Sequence, residues 1–122
     1  MAKIMVVDDS AYARRIHRAI LERAGHSVVE ASTGMGAIEM YTVERPTVVL
    51  LDLSMEDIGG IEVLRTLRQL DPEASVIVIS ADVQRSTADE VTNAGARRFL
   101  HKPATAEAIV GALTEIVGAP VQ

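Results

Sequence analysis

Four short stretches of this chain run up to residues that can do chemistry. Ile4 to Val7 leads into Asp8-Asp9, Thr47 to Asp52 closes on a carboxylate, Ser75 to Ser80 closes on a hydroxyl, and Arg97 to His101 leads into Lys102. Ionised carboxylates held together repel unless a cation joins them or protons bind. An all-oxygen site with few protein ligands and room for water suits Mg2+. A metal ion plus an ammonium group is what the three oxygens of a transferring phosphoryl group need. With Asp8 and Asp9 given to the metal, Asp52 is free to attack in line as a nucleophile. Lys102 supplies the ammonium, and Ser80 can donate a hydrogen bond to a phosphoryl oxygen. Singly, each has a plainer role: Asp8, Asp9, Ser80 and Asp52 as helix caps, Lys102 as a solvated loop charge. Their conjunction at four run ends argues for chemistry.

The elements that must position these groups follow from hydrophobic patterning. Thr47 to Asp52 and Ser75 to Ser80 are unbroken β-branched and aliphatic runs, the signature of strands buried on both faces. Ile4 to Val7 and Ser27 to Ala31 are shorter strands, and the charges of Arg97 to His101 suit a sheet edge. Helices are expected from Tyr12 to Ala24, from Thr33 or Gly34 to Glu44, from Gly60 to Leu70, from Gln84 to Asn93 and from Thr105 to Val117. Ile16 and Ile20 mark the inner face of the first helix. Ile61, Leu64 and Leu67 mark that of the third, and Ile109, Leu113 and Ile116 that of the fifth. The fourth offers only Ala88, Val91 and Ala94, so it packs least firmly. Strand–helix alternation predicts an α/β fold, a five-stranded parallel sheet with five helices on both faces. Right-handed crossovers and two central apolar strands give the order 2-1-3-4-5, a flavodoxin-like three-layer sandwich. The acids of strands one and three then lie ~4.8 Å apart, with strand five roughly 10 Å from strand three. A lysine side chain spans much of that gap.

The remaining composition bounds what the chain is. At 122 residues and 48% hydrophobic content it is one domain with one core. Aromatics are only 2%, so Val, Ile, Leu, Ala and Met must fill that core. A net charge of -5 without a basic block argues against direct nucleic-acid binding and against adhesion to an acidic membrane. No stretch approaches ~18 apolar residues, so no membrane insertion is expected. Lacking a signal peptide, the chain reads as a cytoplasmic protein. No repeat or linker divides residues 1–122, and Gly118-Ala-Pro-Val-Gln reads as a frayed end. Tyr12 and Tyr41 are expected half-buried on helices, His17, His26 and His101 at the surface or an edge, and the arginines of the first helix on a solvated face.

Val7-Asp8-Asp9-Ser10, the strand end at Asp52, Ser80-Ala81 and Phe99-Leu100-His101-Lys102-Pro103 stand in the order and spacing of one known family. The chain resembles, over essentially its whole length, the receiver domain of two-component response regulators. Arg14-Arg15 and the lack of an output domain resemble the single-domain chemotaxis-type members. The resemblance implies a signalling switch rather than an enzyme, with slow autodephosphorylation at most. Asp52 would accept phosphate from a histidine kinase or a histidine phosphotransfer domain. Asp9, Asp52 and the backbone carbonyl of Ser54 would ligate Mg2+, with Asp8 acting through water. Ser80 would swing toward the phosphoryl group and Phe99 would rotate inward. A cis peptide would join Lys102 to Pro103. The surface of the fourth helix, fifth strand and fifth helix would change and bind or release an effector protein.

The chain departs from the family where Glu56 replaces a frequent Pro and Gly59-Gly60 replaces Asp-Gly. Losing Pro and gaining Gly loosens the loop after Asp52. Ser54 and Asp82 occupy positions that vary in the family and set phosphoryl lifetime. Three rival readings remain. An aspartyl-phosphate hydrolase of the haloacid dehalogenase type would want an acid where Ser54 stands. A flavin carrier would want a Ser/Thr/Gly-rich loop where Asp8-Asp9-Ser10 stands. A receiver-like module that binds partners without phosphorylation would not need this full set of residues.

Overall fold

The computed structural model describes residues 2–82 and 84–118. Residues 119–122, most of the segment read as a frayed end, lie outside the described residues. The chain alternates β1 (Lys3–Val7), α1 (Ala11–Arg23), β2 (Ser27–Ala31), α2 (Gly34–Glu44), β3 (Val48–Asp52), α3 (Gly60–Leu70), β4 (Val76–Ser80), α4 (Arg85–Asn93), β5 (Arg98–His101) and α5 (Ala106–Val117). All strands are parallel, in the order β2-β1-β3-β4-β5. The expected topology and the expected elements are therefore present.

Alternation along the strands divides the core in two. Met5, Val7, Val49, Leu51, Val76 and Val78 face one way, against Ala37 and Tyr41 of α2, Val63, Leu64 and Leu67 of α3 and Val91 of α4. Ile4, Val6, Val48, Leu50, Ile77 and Ile79 face the other way, against Leu21 of α1 and Ile109, Ala112 and Leu113 of α5. Every residue of β3 and β4 is buried, as their unbroken apolar runs require. β5 buries none fully, in keeping with its place at the sheet edge. Three helices, α1, α2 and α5, start on side chains that accept from their free N–H groups: Ser10 from Ala13, Thr33 from Gly36 and Thr105 from Ala108. Within α4 only Val91 is buried, so this helix is the most lightly anchored, as its sequence suggests.

Several side chains lie elsewhere than their patterns imply. The inner stripe of α1 is His17 and Leu21, one residue on from Ile16 and Ile20, and Ile16 is 40% exposed. His17 is buried rather than superficial, close enough to Lys102 and Asp8 to feel both charges. Tyr12 is 70% exposed and Tyr41 only 3%, so neither is half-buried. Tyr41 sits inside because its hydroxyl finds an acceptor, donating to Asp71 Oδ2 at 2.7 Å. Burial, then this bond, pushes its pKa up to about 12. Arg14 and Arg18 are not a free solvated face: both grip Glu30 of β2, at 3.0 Å to Oε1 and 2.5 Å to Oε2. His26 is half-buried at the start of β2 and accepts from the Ala2 amide at 3.1 Å.

Leu67 is fully buried in the α2–α3–α4 core, whereas Leu70, one turn on, is 51% exposed. In urea denaturation Leu67→Ala is expected to lower stability by about 2–5 kcal/mol. Leu70→Ala should stay within about 0.5 kcal/mol of the parent protein.

Candidate functional site

The parallel sheet carries all of the reactive residues to one edge. Val7 pairs with Leu51, Asp52 with Ile79 and Ser80 with His101, so Asp8, Asp52, Ser80 and Lys102 leave the sheet together. Three of them are buried: Asp8 at 1% exposure, Asp52 at 3% and Ser80 at 1%. Asp9 is exposed. One carboxylate oxygen from each of Asp8, Asp9 and Asp52 lies within 4.8 Å of the other two, close enough for a shared metal ion.

Lys102 holds this cluster from the far side. Its ammonium donates to Asp8 Oδ2 at 2.7 Å and stands 3.6 Å from Asp52 Oδ1. The backbone helps, with the Lys102 amide bonded to the Ser80 carbonyl at 2.8 Å. The Lys102–Pro103 peptide is cis, as the family resemblance implies. Asp8 is fully engaged. Its Oδ1 accepts from the Ser10 amide at 2.9 Å, and its carbonyl accepts from Arg14 Nη1 at 2.7 Å. Asp52 is less engaged and so more available. Burial, then the neighbouring Asp8 charge, pushes its pKa above the ordinary carboxylate range, against the pull of Lys102 and of the Ser54 amide. Burial works to lower the Lys102 pKa, but the bond to Asp8 and the charges of Asp52 and Asp8 leave it raised. Lys102 therefore stays a cation.

The donor set fits Mg2+. Three carboxylates face one ammonium, an excess of negative charge in a partly enclosed oxygen site. Each oxygen of Asp8 already accepts one hydrogen bond, from Lys102 or from the Ser10 amide.

Ser80 Oγ accepts from the Asp82 amide at 3.0 Å, which leaves its own proton free to be donated. Asp82 itself turns away, accepting from the Gln84 amide at 2.9 Å and the Thr87 hydroxyl at 2.7 Å. A groove of about 260 Å³ lies beside it, between Ser54 and Gly60 on one wall and Ser80 and Thr87 on the other. Phe99 is half-buried on β5, its ring edge-to-face with His101 at 5.2 Å.

Asp8, Asp9, Asp52 and Lys102 thus gather at one edge of the sheet. Residues 4–114 match the model of the response regulator receiver domain. The chain belongs to that family. It is 34% identical over 115 residues to the chemotaxis protein CheY of Thermotoga maritima, covering 93% of this chain and 96% of that one. The solved structure of chemotaxis protein CheY4 from Vibrio cholerae superposes with a TM-score of 0.90 at 25% identity, covering 96% of this chain and 99% of the other. CheY of Borrelia burgdorferi, solved in a CheX-CheY-BeF3-Mg2+ complex, gives the same score and identity, covering 93% of this chain and 87% of that one. The chain is therefore a CheY-like receiver domain of two-component signalling, and the family is one of signalling switches. It has the acidic pocket at which receiver domains bind Mg2+.

Two neighbours of the site escaped the sequence. His17 is buried beside it, with Nδ1 unpartnered among the described residues. Burial, then the Lys102 charge, pushes its pKa down. Arg14 braces the Asp8 carbonyl. Neither role is visible in the sequence, since a histidine and an arginine on an amphipathic helix look like surface residues.

The raised pKa of Asp52 makes a signed prediction. Its carboxylate ionises more readily in the unfolded chain than in the folded one. It therefore weakens the fold as pH rises from the ordinary carboxylate range through the raised native value. Without Mg2+, Asp52→Asn should melt several degrees higher than the parent near neutral pH. That gain should shrink toward zero below about pH 4, as followed by thermal denaturation across pH.

Proposed function

We propose that this receiver domain takes a phosphoryl group onto Asp52 Oδ from a histidine kinase or histidine phosphotransfer domain in the cytoplasm. The observation that carries the reading is Asp52 itself, 3% exposed, with Lys102 3.6 Å away and the Asp8-Asp9 pair alongside. Asp9, Asp52 and the Ser54 carbonyl would hold Mg2+, with Asp8 acting through water. When bound, the ion would supply positive charge to the phosphoryl oxygens and to the attacking carboxylate. Lys102 supplies the opposing charge, and its tie to Asp8 keeps the ammonium aimed into the pocket. Ser80 donates its free hydroxyl proton to a phosphoryl oxygen.

The transfer breaks the phosphohistidine P–N bond and forms the acyl phosphate P–O bond, with the histidine leaving as the neutral imidazole after it gains a proton. Once phosphorylated, the chain changes shape where it is held least. Ser80 moves with the segment that joins β4 to α4, and Phe99 turns inward on β5. The surface of α4, β5 and α5 then binds or releases an effector protein. Support comes from the single buried side chain of α4 and the half-exposed strand β5. Neither direct nucleic-acid contact nor membrane insertion is part of this reading. No described helix is long and apolar enough to cross a membrane.

Intact-mass measurement after incubation with Mg2+ and acetyl phosphate tests the reading. One phosphoryl adduct is expected on the parent protein and none on Asp52→Asn; an unmodified parent would sink the proposal. A second measurement addresses the metal. Mg2+ should raise the melting temperature of the parent by mass action. Its half-saturation should move up on the order of tenfold or more in Asp9→Ala. Unchanged half-saturation would remove Asp9 from the ligand set.

A further inference from the structure

The loop that leaves Asp52 is held at both ends, and the second hold lies outside the site. At its base the Gly60 and Met55 amides both donate to the Leu53 carbonyl at 3.1 Å. A Cβ on Gly60 would stand 2.5 Å from Leu53 Cα and 2.8 Å from the Asp52 carbonyl oxygen, so α3 begins flush against the strand end. At its far side Asp57 reaches across to α2. Its Oδ1 accepts from the Gly34 amide and its Oδ2 from the Met35 amide, each at 2.9 Å.

These two N–H groups belong to the first turn of α2, where no helical carbonyl is available to them. Thr33 serves only the third, Gly36, at 3.0 Å. Side chains close the same junction: a Cβ on Gly34 would come 2.4 Å from Ile58 Cγ1. The clamp is also charge-assisted. The Met35 amide, then that of Gly34, holds the Asp57 carboxyl at about 2, so it is an anion at any physiological pH.

Ser54 lies between the two anchors. We infer that Asp57 is a positioning residue for the phosphorylation site, clamping the loop to the start of α2 so that the Ser54 carbonyl is held toward the ion. This rests on the function proposed above. A helix cap alone would stabilise α2 and do nothing for the metal; a positioning residue does both. Thr33 separates the two roles, because it caps the same helix without touching the loop.

Mg2+ binding by isothermal titration calorimetry, with melting temperature measured alongside, tests the inference on Asp57→Ala, Asp57→Asn and Thr33→Ala. Both alanine variants should melt below the parent. Asp57→Ala should bind Mg2+ on the order of tenfold more weakly, and Thr33→Ala should match the parent within about twofold. Asp57→Asn keeps one carbonyl acceptor and should fall between. At saturating Mg2+ the acetyl phosphate reaction of Asp57→Ala should recover most of its rate, because the loss lies in binding. Should Asp57→Ala fail to fold, Asp57→Asn carries the comparison.

Equal Mg2+ affinity in the Asp57 and Thr33 variants would overturn the inference and leave Asp57 as a cap. A parent protein that binds no Mg2+ and forms no adduct would instead overturn the function proposed for Asp52, and this inference with it.

Discussion

The arrangement depends on an ion pair between the half-buried Lys102 and the buried Asp8, 94 residues apart in the chain. Asp8 is 1% exposed, and among the described residues its carboxylate is compensated by Lys102 and the Ser10 amide. Breaking such a pair by removing one partner leaves an uncompensated buried charge, which costs about 3–5 kcal/mol. The pair also joins the loop after β5 to the end of β1, across the intervening β3 and β4. Asp52 lies between the two and shares the ammonium at 3.6 Å without forming the shorter contact. The structure thus spends its lysine mainly on Asp8 and leaves Asp52 raised in pKa and lightly bonded. That division suits a nucleophile, which must keep an oxygen free.

Most of this was legible in the sequence, because it depends on where strands end. A buried parallel strand needs an apolar run, and the first polar residue after it must lie at the sheet edge. Asp8, Asp52, Ser80 and Lys102 were placed that way without any contact being known. Strand order followed from which runs were apolar on both faces. The helix starts expected at Thr33 or Gly34 and at Thr105 fall within one residue of those observed. What was hidden depends on rotation and on long-range pairing. A shift of one residue around α1 exchanges Ile16 for His17, and helical periodicity in a short amphipathic segment does not resolve a step of that size. Tyr41 is inside because Asp71, 30 residues on, accepts its hydroxyl proton. Arg14 and Arg18 are drawn in by Glu30, which belongs to the next strand. None of these partners can be seen from the residue itself.

The loop after Asp52 shows how a departure from family pattern can be offset elsewhere. Glu56 in place of proline and Gly59 in place of aspartate both enlarge the conformational freedom of the unfolded segment. A loosened loop is the natural expectation. Instead, the Asp57 carboxylate takes two amides of α2, and Ile58 packs on Gly34. Stiffness that proline would have supplied locally is supplied by a tether to another helix. The position of Ser54 therefore depends on α2 as well as on β3.

Stability is distributed unevenly around the site, and the unevenness has a direction. β3 and β4 are buried at every residue, so Asp52 and Ser80 leave rigid ends. Beyond Ser80 the support thins. The first residue of the α4 cap, Gln84, forms no side-chain bond, and the helix buries Val91 alone. Two polar contacts of Asp82 tie its start, and the Asp82 amide donates in turn to Ser80 Oγ. Ser80 is thus the fixed end of a lightly held segment. Displacing that segment disturbs a short chain of hydrogen bonds rather than core packing. Individual hydrogen bonds of this kind contribute about 0.5–1.5 kcal/mol, whereas large apolar side chains in the core contribute several. Support around Ser80 is therefore weaker toward α4 and β5 than toward β3 and β4.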